Sequence, residues 1–323
     1  MQTVIRSDTI RSDLFIQVNS INVKSAAMFE KVLVALDFSP YSQKILDLIS
    51  EIPGIHEVVL LHVVDATRPA RLDWTHGHPH IENTQLLLEE KKKFLEQFGL
   101  MVRINVDVIV NAITQGTVSQ AIMEIAETEN ISLIVLGARG IDPIQELLLG
   151  SVSSSVLRYA TTNVLIMHFP PAYVGTKASE SSSRKLFSKV LIPTDFSRSA
   201  SDASAFVKTI PGIKEIVLLH VVNRAESQQD IEDYVKAAET RLEDMKKEFI
   251  NTGVEVKFHV GAGDPAEMIL SVADDDDVSL IAMSAFGLDW VRELVLGSTT
   301  FTVVRKTIKP VLIIRTGQDN KTS

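Results

Sequence analysis

The chain has 323 residues, 45% of them hydrophobic, a net charge of −9 and no cysteine. That length suits about two ordinary domains, each with a core of normal size. The acidic balance argues against general affinity for nucleic acid or an anionic membrane, and the lack of Cys excludes disulfides, thiolate metal sites and Cys nucleophiles and fits a reduced, cytoplasmic setting.

Residues 1–27 have no counterpart elsewhere in the chain, and Arg6, Asp8, Arg11 and Asp13 interrupt any secretory pattern. They read as a dispensable N-terminal extension, with a swapped or edge strand as the alternative. A first domain is expected over 28–169, with strands at 31–36, 57–64, 103–110, 131–136 and 163–168. Helical patterns fall between them at 40–51, 81–98, 117–128 and 151–160, and Ser39 is well placed as an N-cap. Runs such as EVVLLHVV are apolar at consecutive positions, the mark of strands covered on both faces in a parallel sheet. Residues 170–186, rich in Pro, Gly and Ser, read as a linker. A second domain over 187–316 repeats the pattern, with strands at 188–193, 215–222, 254–260, 278–283 and 310–315 and an N-cap at Ser197. Residues 317–323 read as a flexible tail. No apolar run approaches the ~20 residues that span a bilayer.

The second domain is a copy of the first. PGIHEVVLLHVV (53–64) and PGIKEIVLLHVV (211–222) agree at ten of twelve positions. Asp37 and Asp195 are 158 residues apart, whereas Gly116/Gly263, Gly140/Gly287 and Gly150/Gly297 are each 147 apart. The first copy therefore carries eleven extra residues between His62 and Gly116. A period this long is a whole domain rather than a solenoid unit. Strand–helix alternation makes each copy a doubly wound α/β domain, in which ligands sit beyond the carboxyl ends of the strands.

The chemistry concentrates after the fourth strand of the first copy. Gly137-Ala138-Arg139-Gly140 is followed, nine residues on, by Gly150-Ser151-Val152-Ser153. Closely spaced glycines let the backbone turn with its N–H groups exposed, and Gly150-Ser151 opens a helix whose first amides are unpaired and electropositive. The result is a cradle for phosphate, with Arg139 adding charge. Asp37, at the end of the first strand, could accept from ribose hydroxyls or an adenine amine. The structural alternative is that the glycines serve turns and Asp37 caps a helix.

This pattern, G-x-x-G, nine residues, then G-[S/T], with an Asp after the first strand, resembles the universal stress protein family over residues 28–168 and 187–315. The resemblance implies a five-stranded parallel sheet of order 3-2-1-4-5 with helices on both faces, in tandem. It implies a bound adenine nucleotide, ATP or AMP, with Mg accompanying ATP. By position, Asp37 and Val63 would contact ribose and adenine, Leu136 and Gly137 would lie along the nucleotide, and Gly140, Gly150, Ser151 and Val152 would surround the phosphates. The second copy keeps Asp195, Gly287, Gly297 and Ser298, with Val221 and Thr299 in place of Val63 and Val152. It departs at Ser284, which replaces the first glycine, and at Phe286, which replaces Arg139, so the first copy is expected to be the stronger site. Family members commonly dimerise through the final strand. Here that implies pairing of 164–168 with 311–315 within one chain, with further homodimerisation of such units as an added level.

Other residues carry weaker signals. His76, His78 and His80 alternate near the surplus segment, where they could converge on Zn²⁺ or belong to a loop over the nucleotide site; no metal site is assigned. His62 and His220 end buried strands and read as pocket walls rather than catalytic groups. The acidic run at 273–279 reads as a solvated turn. Three functions remain: a nucleotide-binding stress-response or signalling module, a slow ATPase or phosphoryl-transfer enzyme, and a ligand-free dimerisation scaffold. The chain has no G-x-x-x-x-G-K-[S/T] loop, no nucleophile elbow and no zinc helix, and no general base stands beside the expected phosphates, which favours the first.

Overall fold

The computed structural model describes residues 29–65, 79–109, 116–138, 149–169, 185–223, 227–250, 252–287 and 296–315. The N-terminal extension, most of the linker and the tail lie outside them. The first half contains β1 (Lys31–Ala35), α1 (Pro40–Leu48), β2 (Glu57–Asp65), α2 (Pro79–Glu96), β3 (Met101–Ile109), α3 (Val118–Thr128), β4 (Leu133–Gly137), α4 (Ser151–Tyr159) and β5 (Asn163–Met167). The second contains β6 (Lys189–Pro193), α5 (Arg198–Lys208), β7 (Glu215–Val222), α6 (Gln228–Lys247), β8 (Glu255–Ala262), α7 (Pro265–Asp275), β9 (Leu280–Ser284), α8 (Ser298–Lys306) and β10 (Val311–Ile314).

Each half is a parallel sheet of order 3-2-1-4-5, and the two join into one ten-stranded sheet, β3-β2-β1-β4-β5-β10-β9-β6-β7-β8. The consecutive apolar runs have the cause expected of them. Along β1, Val32 and Val34 belong to one buried cluster and Leu33 to the other, because successive side chains leave a strand on opposite faces. Ile45 of α1, Leu88 of α2, Val207 of α5 and Leu242 of α6 cover one face. Ile122 of α3, Val156 of α4, Ile269 of α7 and Val303 of α8 cover the other. Ser39 and Ser197 cap α1 and α5, accepting from the amides of Ser42 and Ala200. The acidic run turns at Asp277 in the left-handed region (φ 46°), as its counterpart Asn130 does (φ 52°), and Lys309 Nζ lies 2.9 Å from the Asp277 carboxylate.

The anticipated pairing of the two final strands is present. β5 and β10 run antiparallel, with Val164 opposite Ile313, Leu165 opposite Leu312 and Ile166 opposite Val311. The seam is reinforced on both sides. Phe29 is fully buried, with its ring centroid 6.1 Å from that of Phe187 and 5.7 Å from that of Phe206. The Leu186 amide donates to Glu51 Oε2 (2.8 Å). Arg315 donates from its backbone to Asn163 Oδ1 (2.9 Å) and from Nη2 to the Leu157 carbonyl (2.6 Å). Burial lowers the Arg315 pKa to about 10, so it stays charged at neutral pH inside the seam. No helix among the described residues is long and apolar enough to cross a membrane.

Candidate functional site

The two candidate sites lie where β1 and β4, and likewise β6 and β9, end side by side at the point where strand order reverses. At the first corner, Asp37 Oδ1 accepts from the Ser39 amide (3.0 Å), and Asp195 Oδ1 accepts from the Ser197 amide (2.9 Å). This turn throws the intervening residue into the left-handed region, Phe38 at φ 58° and Phe196 at φ 60°. A left-handed conformation costs a non-glycine residue about 1–3 kcal/mol, and both halves retain it. Each ring then lies against a histidine at the end of the next strand, with centroids 4.6 Å apart for Phe38–His62 and 4.4 Å for Phe196–His220. In the second half Arg241, from α6, also lies over this ring, its guanidinium 3.9 Å from the Phe196 centroid.

Both histidines are fixed in one tautomer. Nδ1–H of His62 donates to the Leu36 carbonyl (2.6 Å) and that of His220 to the Thr194 carbonyl (2.8 Å), since a carbonyl only accepts. Burial holds both below the usual imidazole range, and Arg241 adds to the effect at His220. His220 lines the second-half cavity, as its place at the strand end suggests.

The glycine loops differ in one respect from the expected cradle. Gly150 donates its N–H to the Ala138 carbonyl (2.8 Å) and Gly297 to that of Ala285 (2.9 Å). Both amides are thus engaged by the backbone at the end of the preceding strand. Behind them, Ser153 Oγ donates to the Gly137 carbonyl (2.7 Å) and Thr300 Oγ1 to that of Ser284 (3.2 Å), tying each helix to its strand. Neither α4 nor α8 has a side-chain cap, whereas α1, α3, α5, α6 and α7 do. The first-turn amides of Ser151 and Val152, and of Ser298 and Thr299, thus have no capping side chain among the described residues and could donate to an anion. Arg139 and Gly140 lie outside the described residues, as do His76, His78 and the side chain of His80.

The second half departs less from the pattern than its sequence suggests. Ser284 is an ordinary strand residue, paired with Ile314, and is not in the left-handed region. Its hydroxyl and that of Ser199 both donate to the Phe286 carbonyl (2.6 and 2.9 Å), fixing the loop. A Cβ at Gly287 would lie 2.6 Å from Asp195 Oδ2, so a larger residue there displaces a carboxylate whose other oxygen is held by the Ser197 amide. Asp195, Val221, Gly287, Gly297, Ser298 and Thr299 all line one cavity of about 1160 Å³. Arg241, Tyr234 and Arg158 line it too. The sequence carries no local signal for these three, since they arrive from helices α6 and α4. Leu136 is buried under the first corner at 3% exposure, while Val63 and Val152 are half-buried against the same cluster.

The family model described as the universal stress protein family matches residues 28–168 and 186–315. Universal stress protein MJ0577 of Methanocaldococcus jannaschii is 32% identical over 155 residues, 40% of this chain and 96% of that protein. A universal stress protein of Mycolicibacterium smegmatis is 24% identical over 310 residues, 88% of this chain and 96% of its own length. The crystal structure of a universal stress protein from Archaeoglobus fulgidus superposes with a TM-score of 0.66 at 25% identity, over 89% of this chain and 98% of that one. Both halves are thus matched separately and also aligned as a pair, and the chain belongs to the universal stress protein family.

Proposed function

We propose that each half is an adenine-nucleotide site, for ATP or AMP, with Mg accompanying ATP, in a cytoplasmic module whose stress-response or signalling output follows occupancy. The observation that carries the reading is the second-half cavity. Six residues nominated from sequence, Asp195, Val221, Gly287, Gly297, Ser298 and Thr299, line it together. An acidic corner at one end suits ribose hydroxyls, and the uncapped N-terminus of α8 suits anionic oxygens. The first half repeats the Asp corner and the uncapped helix. The extended Ser284 removes the backbone objection to the second site, so the reading includes both.

Denaturing the purified protein and identifying what is released tests this. Intact ATP or AMP supports a binding module. ADP accumulating from ATP-loaded protein favours the slow ATPase, since cradled phosphates and Mg²⁺ need little else. No nucleotide, before or after incubation with ATP, leaves a ligand-free scaffold.

A further inference from the structure

The cavity of the second half takes one of its lining side chains from the first. Arg158 stands in the last turn of α4, the helix that Gly150 opens beside the first half's candidate site. It crosses the β5–β10 seam, and its guanidinium carbon lies 4.1 Å from the centroid of the Phe301 ring. Phe301 is in the first turn of α8, and Arg158, Ser298, Thr299 and Phe301 line the same cavity. A cation–π contact engages the guanidinium through its charge and leaves N–H groups free to donate. No ion pair engages Arg158 among the described residues.

The arrangement is not symmetric. Ser154 occupies the position of Phe301 in the first half, 147 residues earlier. Arg305, the counterpart of Arg158, also lies over Phe301, at 5.6 Å. Two arginines related by the duplication thus converge on one ring in the second half, where Phe286 had removed the cation that Arg139 brings to the first.

We propose that the second site is composite: Arg158 of the first half binds the phosphates of a nucleotide held by the second half, making that site selective for a nucleoside polyphosphate over the bare nucleoside. The inference rests on the nucleotide reading above. It commits the second half to a ligand it recognises only when joined to the first.

The test uses the full chain, labelled at sub-saturating concentration with 8-azido-ATP or 8-azidoadenosine, with labelled peptides mapped to either half. Arg158→Gln should lower labelling of the second half by the triphosphate probe about tenfold, the worth of one charge-assisted contact. Labelling by the nucleoside probe, and labelling of the first half, should not change. Arg158→Lys should recover part of the loss. Phe301→Ser, which installs the first half's residue and removes the stacking platform, should reproduce the selective loss. Unchanged triphosphate labelling in Arg158→Gln, an equal loss with both probes, or wild-type labelling confined to the first half would each overturn the inference while leaving nucleotide binding intact. If neither half of the wild type is labelled, the nucleotide reading fails and this inference with it.

Discussion

Leu165 lies directly opposite Leu312, its own counterpart 147 residues further along the chain. The flanking pairs, Val164 with Ile313 and Ile166 with Val311, exchange counterparts about that point. A pseudo-twofold axis therefore passes between the two leucines, and the seam is an isologous interface made inside one chain. The linker keeps the second edge at high effective concentration beside the first, which removes an otherwise unpaired strand edge.

That register fixes where a crosslink will form. Directly opposed residues of antiparallel strands have Cα atoms about 4.5 or 5.5 Å apart, within disulfide reach. A Val164→Cys/Ile313→Cys pair should close within one chain on oxidative refolding, giving a faster-migrating monomer on a non-reducing gel. Disulfide-linked dimers as the sole product would refute the intramolecular seam.

Phe29 is fully buried against Phe187 and Phe206 from the other half. Its replacement by Ala should destabilise the protein by about 3–5 kcal/mol, read from the denaturant midpoint. A chain starting at Met28 keeps this contact and should melt within a few degrees of the full chain. A large drop on truncation would mean that residues 1–27 pack on the core.

Gly287 stands where a Cβ would lie 2.6 Å from Asp195 Oδ2. Gly287→Val should push the acidic corner and the loop apart and reduce nucleotide binding at the second site at least tenfold, a loss of roughly 1.4 kcal/mol or more. Calorimetry should then report one site fewer. Full stoichiometry at unchanged affinity would remove Gly287 and Asp195 from the ligand.

His62 and His220 are held below the ordinary imidazole value of 6.5 by burial. On acidification the unfolded chain takes up these protons before the folded one. Their contribution to stability is therefore complete above pH about 6.5 and declines as pH falls below it. The melting temperature should drop between pH 7.5 and 5.5. A His62→Asn/His220→Asn double variant, whose side-chain amides can still donate to the Leu36 and Thr194 carbonyls, should show a smaller drop. An equal drop in both proteins would place the titration elsewhere.

Much of this was readable along the chain. A strand covered on both faces must be apolar at consecutive positions, so EVVLLHVV and its copy announced β2 and β7. The duplication marked the residues that recur as a set, and Asp195, Gly287 and Gly297 do meet in one cavity because the first two follow the adjacent strands β6 and β9 and the third opens helix α8 after β9. Local spacing says nothing about what a side chain meets from elsewhere. That the Gly150 and Gly297 amides close the loop on Ala138 and Ala285, that Ser284 sits in extended backbone, and that Arg241 stacks on Phe196 all depend on how strands and helices pack. Arg158 is the clearest case. In sequence it is a polar residue near a helix end, and only the antiparallel pairing of β5 with β10 brings it onto Phe301 and into the other half's pocket.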